Sequence, residues 1–599
     1  MVVVDVLFPL ALRRNLRYCV GEEDGALVSV GSFVRAPIGN RTVLGVVVGM
    51  HSSAGLCSDV GGCNPPLLKF ITAVESHLTP ISQKRMELWR WISAYYLCTL
   101  GEVMKAATLS GLPLRRRPKS EEQASNQSLS NTNLPQLSDQ QIEAFAQITQ
   151  QLQPNEVVLF KSARARTKVY LHLLHQALQS GTNVLFLLPE IGVSEQFYQQ
   201  LTQLFGNRVY LFHSHLTSAQ RHNLLQSMAQ QTDSFIVVGL RSALLLIDLD
   251  RFGMIVVDEE QDVAYKQTDP APRFHARDLA VVAGKRYHIP ILLGTSCASL
   301  ESEYNARTNR YRCVNIEEPA HPIPHIEVID TVRASKRKEM EGMLSQTLLH
   351  TITQNFTQQK QALLFSQRCA LLQEQLHTLL PAMRTARLDQ SHTPASLKRL
   401  LNQFAQREID LLLGTQTIHK GLDFGNMGVI GILEADKQLS RLDFRAHERA
   451  YQIFTLLSGR MECAPMVMLQ TAQADHAFFT YFTQGDTDSF LQEQLQERKE
   501  FGYPPFTRLV ALRFKHPSPE AALASAQHVA QELAKIGITH TSGPFASAHA
   551  PNAKLYTQLL WIHLTRHLKS EEVKQMLYHK VNDFTFSRGM VQVDVDPYI

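Results

Sequence analysis

At 599 residues, with 44% hydrophobic and 19% charged side chains, the chain has an ordinary globular composition with room for about 3–5 domains. A formal charge of +4 is too small to mark a polycation, so any nucleic-acid contact has to come from local patches. No run of eighteen apolar residues occurs, the start MVVVDVLFPLALRR lacks a cleavable-signal pattern, and the eight scattered cysteines form no C-x-x-C pair; the expectation is a reduced cytoplasm, with no membrane segment, disulfide framework or zinc site.

Residues 1–110 read as a first unit. Leu27–Val30 and Thr42–Val48 have strand character, with a turn signal at Ile38-Gly39-Asn40 between them. A helix follows in which Leu88, Trp91, Ile92 and Tyr95 share one face, and core packing explains that stripe better than base stacking. Leu114-Arg115-Arg116-Arg117-Pro118-Lys119 opens a Ser/Asn/Gln-rich stretch that cannot bury enough surface to fold, so 111–136 reads as a linker.

From Leu137 to about Glu317, apolar strands alternate with helical patterns: 156–160, Val184–Leu188, Val209–Phe212, Phe235–Val238, Met254–Val257 and Ile291–Leu293. A shorter series follows at Ala362–Phe365, Asp410–Leu413, Val429–Leu433 and Met466–Leu469. Such alternation predicts an α/β fold, two tandem parallel-sheet lobes with a cleft between them. A charged helix (Gln492 to Glu500) leads to a small α+β unit with strands at Leu509–Phe514, Leu559–Ile562 and Val591–Val595 and a long helix from Pro519. His213-Ser214-His215 flanks a turn and reads as solvated, not metal-binding.

The strand Met254–Val257 runs into Asp258-Glu259-Glu260, the arrangement by which a nucleotide-driven motor holds Mg²⁺ and orients a water. At the matching upstream place, Val158-Leu159-Phe160-Lys161-Ser162-Ala163-Arg164-Ala165-Arg166-Thr167 has a strand and a following helix but no glycine. A phosphate loop aims successive backbone N–H groups at the ligand and needs φ > 0 at some positions. Holding an L-residue there costs roughly 1–2 kcal/mol, and its Cβ takes space the phosphate needs. Arg166, with its planar fork, is no substitute for a compact ammonium between phosphates.

Further motifs follow in order: Leu188-Pro189-Glu190-Ile191, Val238-Gly239-Leu240-Arg241-Ser242-Ala243, Asp258-Glu259-Glu260-Gln261, Tyr265-Lys266-Gln267 with Arg273-Phe274-His275-Ala276-Arg277-Asp278, Gly414-Thr415-Gln416-Thr417-Ile418-His419-Lys420-Gly421, and Asp443-Phe444-Arg445-Ala446-His447-Glu448-Arg449. With Tyr95-Tyr96-Leu97-Cys98 and Tyr503-Pro504-Pro505-Phe506, they make nearly the whole chain resemble the primosomal protein N′ (PriA) family of bacterial replication-restart helicases, superfamily 2. The resemblance implies an N-terminal β-rich DNA-binding domain (1–110), a linker or winged-helix remnant (111–136), RecA-like helicase lobes at 137–320 and 321–480, and a C-terminal α+β DNA-binding domain (490–599).

By the same resemblance, Asp258, Glu259 and Arg460 stand at catalytic positions. Gln141, Arg166 and Thr167 stand at the nucleotide site, where Gln141 leaves room for weak affinity without hydrolysis. DNA contacts fall on Arg17, Tyr18, Tyr265, Lys266, Arg273, Phe274, Arg277, Thr415, Gln416 and Lys420. The aromatic–cation interleaving of the 265–277 segment suits backbone charge and base stacking.

Departures from the family are concentrated in the engine. The phosphate loop is lost, the second arginine after Arg460 is Cys463, and Gly294-Thr295-Ser296-Cys297-Ala298-Ser299 replaces the coupling motif. Loss of a transition-state arginine alone costs on the order of 10³–10⁵ in turnover. The family's zinc-binding insert in the second lobe is missing, and Leu16-Arg17-Tyr18 reverses the charge of the 3′-end signature, putting 3′-end recognition in doubt. ATP and Mg²⁺ come with the family, but these lesions argue against both; no zinc is expected.

The function expected is binding of branched or single-stranded DNA in the bacterial cytoplasm, associated with the nucleoid. Primosome proteins and single-stranded-DNA-binding protein are partners by resemblance. The chain would assemble a restart complex without ATP-driven unwinding. The alternatives are a 3′-to-5′ ATP-dependent helicase with a divergent phosphate site, and a protein-interaction scaffold with no DNA affinity.

Overall fold

The structure is a computed structural model describing residues 2–12, 14–52, 68–108, 133–162, 165–213, 216–316, 325–388, 394–415, 426–440, 443–459, 466–538, 540–547, 555–565, 576–577 and 589–598. The first lobe is built on a seven-stranded parallel sheet. Its spatial order is Arg312–Asn315, Val157–Lys161, Ile291–Thr295, Phe252–Val257, Asn183–Leu187, Ile236–Gly239, Val209–Phe212. The central strands are buried on both faces, which is why they are continuous apolar runs such as Val158-Leu159-Phe160 and Ile255-Val256-Val257. The second lobe repeats the plan with six parallel strands, in the order Ile326–Asp330, Met466–Thr471, Met427–Ile432, Gln361–Phe365, Leu411–Gly414, Thr385–Leu388.

An antiparallel five-stranded sheet at the N-terminus (Leu16–Val20, Val2–Leu7, Arg41–Ser52, Phe33–Ile38, Ala73–Val74) packs with two helices, Gln83–Tyr96 and Leu100–Ala107. Leu88, Ile92 and Tyr95 are buried, so the helical stripe is largely core. Leu27–Val30, expected as a strand, lies in a turn-rich segment, and Leu27 and Val30 are exposed. Their apolarity marks a loop tip, not a ladder. At the other end, an antiparallel sheet in the order Thr541–Ala546, Tyr556–Thr565, Thr507–His516, Met590–Val595 carries the helix Pro519–Lys535 on one face.

The lobes meet through a largely buried ionic network. Glu301 of the first lobe faces Arg445 at 3.0 Å and Arg498 at 3.6 Å, while Glu448 accepts from the Leu300 amide at 2.8 Å and pairs with Arg498. Burial alone would push the Glu301 carboxyl up, yet Arg445 and Arg498 hold it down at about 2. A depressed folded-state value contributes stability in full above the ordinary 4.5 and loses it as pH falls toward 2. Acid titration followed by interlobe distance is therefore expected to separate the lobes in that window for the wild type, and Glu301→Gln is expected to flatten the dependence.

Candidate functional site

The engine residues lie at the carboxyl ends of the first lobe's central strands, where open α/β sheets place their ligands. The arginine read as an unsuitable lysine replacement does something else. Arg166 is only 5% exposed; its Nε donates to Asp258 Oδ1 at 3.0 Å, and its two terminal nitrogens reach Glu259 Oε1 and the Ser162 carbonyl. Burial opposes its charge, but Asp258 and Glu259 hold the guanidinium above its ordinary value. One fixed cation thus sits between the two carboxylates that a divalent ion would need.

Further donors from the protein converge on the same carboxylates. Tyr170, one helical turn beyond Arg166 in the helix Arg166–Gln179, donates to Asp258 at 2.8 Å. Glu259 accepts from Gln261 at 2.7 Å and from the Ser296 hydroxyl at 2.8 Å, and its backbone is left-handed (φ 50°). Glu260 turns the other way, onto Arg277, Ser299 and Ser302. Gly294 makes room for this arrangement: a Cβ there would lie 1.6 Å from the Tyr170 hydroxyl.

The phosphate side is also spent on the protein. The Ala165 amide donates to Ser162 Oγ at 2.9 Å. Gln141 is buried and divides its amide between the Ser138 N–H (2.9 Å) and the Ala165 carbonyl (3.1 Å), so it does not face an adenine. Thr167 is exposed on the first helical turn. Ala163, Arg164 and Arg460 lie outside the described residues.

The interlobe cavity beside this point, 440 Å³, is lined by Glu303, Asp486 and Asp488 against one lysine, Lys161, which Glu303 already neutralises. Arg307 pairs there with Glu303 at 2.8 Å and with Asp488 at 3.2 Å, so acid and base meet at the cavity edge. Among the described residues, Asp258 Oδ1 and both Glu259 oxygens are engaged by the protein and the Arg166 guanidinium stands between the two carboxylates, an arrangement that does not favour Mg²⁺ there. Of the residues expected at a nucleotide site, Arg166 belongs to the carboxylates, Gln141 to a helix cap, and Thr167 to solvent.

The segment 265–277, expected to face DNA, packs largely inside the protein. Tyr265 and Phe274 are fully buried, and Tyr265 donates to the carbonyls of Leu187 and Asp258. Lys266 pairs with Asp594 at 2.8 Å and donates to the carbonyls of Arg273 and Val595. Arg273 donates to the Val593 carbonyl at 3.1 Å, and Arg277 is held by Glu260 and Asp278. His275, with neither ring nitrogen hydrogen-bonded among the described residues, is kept neutral by burial and by the neighbouring Arg277 and Lys266. The composition that suits DNA is used here to dock the last strand of the C-terminal sheet.

In the N-terminal sheet, Tyr18 is buried with its hydroxyl on the Pro37 carbonyl, so it too departs from the DNA-facing expectation. Arg17 is half-exposed, pairs with Asp5 at 3.1 Å and lines an open cavity of 720 Å³ with Arg14 and Asn15. Thr415 ends the strand Leu411–Gly414 and is half-buried; Gln416 and Lys420 lie outside the described residues.

Comparison with known proteins matches four family models along the chain. Residues 5–108 match the 3′DNA-binding domain (3′BD) of PriA, 137–302 the DEAD/DEAH box helicase model, 343–452 the helicase conserved C-terminal domain, and 499–598 the primosomal protein N C-terminal domain. Replication restart protein PriA of Rickettsia typhi is 27% identical over 609 residues, covering 90% of this chain and 91% of that one. Its counterpart in Rickettsia conorii is 26% identical and covers 100% and 99%; that of Bacillus subtilis is 26% identical and covers 77% and 67%. The chain belongs to the PriA family. It is a PriA-family chain with a helicase-like body and an arginine, Arg166, seated between Asp258 and Glu259.

Reading this PriA-family sequence residue by residue gives no role to Tyr170, Asp594 or Tyr598. Tyr170 was accessible in principle, since i,i+4 spacing puts it on the Arg166 face of one helix. The other two meet residues far along the chain, Lys266 for Asp594 and Arg445, Arg449 and His275 for Tyr598, and no local pattern announces them.

Proposed function

We propose that the chain is a replication-restart protein that binds branched or forked DNA and recruits replication partners without ATP-driven unwinding. The carrying observation is the Arg166 guanidinium seated between Asp258 and Glu259. The match of residues 5–108 to a 3′DNA-binding domain, and the PriA-named relatives that span the chain, support DNA as the ligand. Primosome proteins and single-stranded-DNA-binding protein are the partners this reading assigns, in a cytoplasmic, nucleoid-associated setting. The lobes then act as a frame between two DNA-binding ends.

Fork binding by the purified chain, followed by fluorescence anisotropy, is expected to be the same with and without ATP–Mg²⁺ and tighter than binding to plain duplex. If about six phosphates are neutralised, affinity should fall on the order of a thousandfold between about 50 and 200 mM salt. No fork preference at low salt would reject the reading in favour of a scaffold. DNA-stimulated ATP hydrolysis that Glu259→Gln abolishes would replace it with a working helicase.

A further inference from the structure

The groove where the first lobe, the second lobe and the N-terminal helix Gln83–Tyr96 converge is filled by five consecutive residues of the chain, Asp594–Tyr598. Asp594 pairs with Lys266 of the first lobe, and the Val595 carbonyl accepts from the same lysine at 2.8 Å. Asp596 accepts from the Tyr95 hydroxyl at 2.7 Å and pairs with Arg508 at 2.9 Å. The Pro597 carbonyl accepts from Arg445 of the second lobe at 3.1 Å. The Tyr598 ring lies under two second-lobe guanidinium groups, Arg445 at 4.5 Å and Arg449 at 5.2 Å, and against His275 of the first lobe at 5.2 Å.

We propose that this groove is a binding site whose ligand is the chain's own segment Asp594–Tyr598, and that its occupation holds the two lobes closed. In two-lobe proteins, closure normally comes from a ligand that contacts both lobes and is lost when the ligand leaves. Here the bridging groups are built in. Each of the segment's contacts complements what it meets: carboxylate against ammonium, carbonyl against guanidinium, aromatic face against cation. A ligand tethered to the protein acts at high effective concentration and does not dissociate into bulk solvent. With Arg166 occupying the metal's place, neither end of the nucleotide-driven cycle is needed for the closed arrangement. This inference stands apart from the DNA-binding reading, because it concerns interlobe geometry alone.

The test is a pair of spin labels at Gln150→Cys on the first lobe and Thr353→Cys on the second, both exposed helical positions, in a full-length background without accessible thiols. The unmodified tail should give one narrow distance peak, unmoved by ATP–Mg²⁺. Tyr598→Ala should convert it to a broad or bimodal distribution, and Tyr598→Phe, which keeps the π face, should leave it narrow. A narrow peak in Tyr598→Ala overturns the proposal, as does a nucleotide-dependent shift in the parent. Should the alanine variant not fold, Tyr598→Leu, which keeps bulk but no π face, is read in the same way.

Discussion

Replacing Arg166 with alanine is expected to destabilise the protein by about 3–5 kcal/mol near neutral pH, the usual cost of removing one partner from a buried ion pair. The mechanism is specific. Asp258 and Glu259 would keep Tyr170, Gln261 and Ser296 as donors but lose the guanidinium that pairs with both. Two adjacent buried carboxylates cannot both stay ionised, so at least one is driven to take up a proton. The deficit should accordingly be largest at alkaline pH and shrink on acidification, as the raised carboxylate protonates. Urea denaturation at several pH values measures this directly.

The same variant should gain a response the parent lacks. With the guanidinium gone, Mn²⁺ can reach Asp258 and Glu259, and a ligand that binds only the folded state stabilises it by mass action. Part of the lost stability should return with Mn²⁺ in Arg166→Ala and none should be added to the parent. A loss smaller than about 1 kcal/mol would mean that Arg166 does not sustain the pair. Stabilisation of the parent by Mn²⁺ would mean that the arginine yields to a metal, and the helicase alternative would then regain ground.

Lys266→Met is expected to cost a comparable amount, about 3–5 kcal/mol, with no loss of fork affinity in the fraction that remains folded. Its ammonium is 1% exposed and burial lowers its pKa, although Asp594 opposes that shift. Truncating the charge leaves Asp594 with Arg513 alone, at 3.1 Å, inside the protein. A lysine that touched DNA would behave differently: the salt dependence of binding would weaken by about one phosphate contact and stability would hardly move. Chemical denaturation together with anisotropy at several salt concentrations separates the two outcomes. A reduced salt slope with unchanged stability would restore the DNA-facing expectation.

How far the sequence spoke depends on the range of the interaction. Central strands of both lobes were legible because burial on both faces demands uninterrupted apolar runs, as at Val158–Phe160 and Ile430–Leu433. Two of the edge strands were not. Arg312–Asn315 buries only Val314, and Thr385–Leu388 buries only its last residue, so neither has an apolar run to read. The missing phosphate loop was visible as missing glycine, which is a local property of the backbone. What filled its place was not visible, because Arg166 meets Asp258 across 92 residues.

The 265–277 segment shows the same limit from the other side. Its alternation of aromatic and cationic residues fits a nucleic acid by composition, and it fits a protein strand equally well when that strand brings Asp594 and two carbonyls. Composition reports what a surface is able to bind, not whether another part of the chain has already bound it.

Gly294 carries a last consequence. Because the Tyr170 hydroxyl stands where a side chain at 294 would begin, the tyrosine, the glycine and the arginine one turn earlier form an interlocked set. Reinstating lysine at 166 would leave Tyr170 anchored on Asp258 and the glycine-free turn unchanged. A single Arg166→Lys substitution is therefore not expected to open this site, because its neighbours are built around one another.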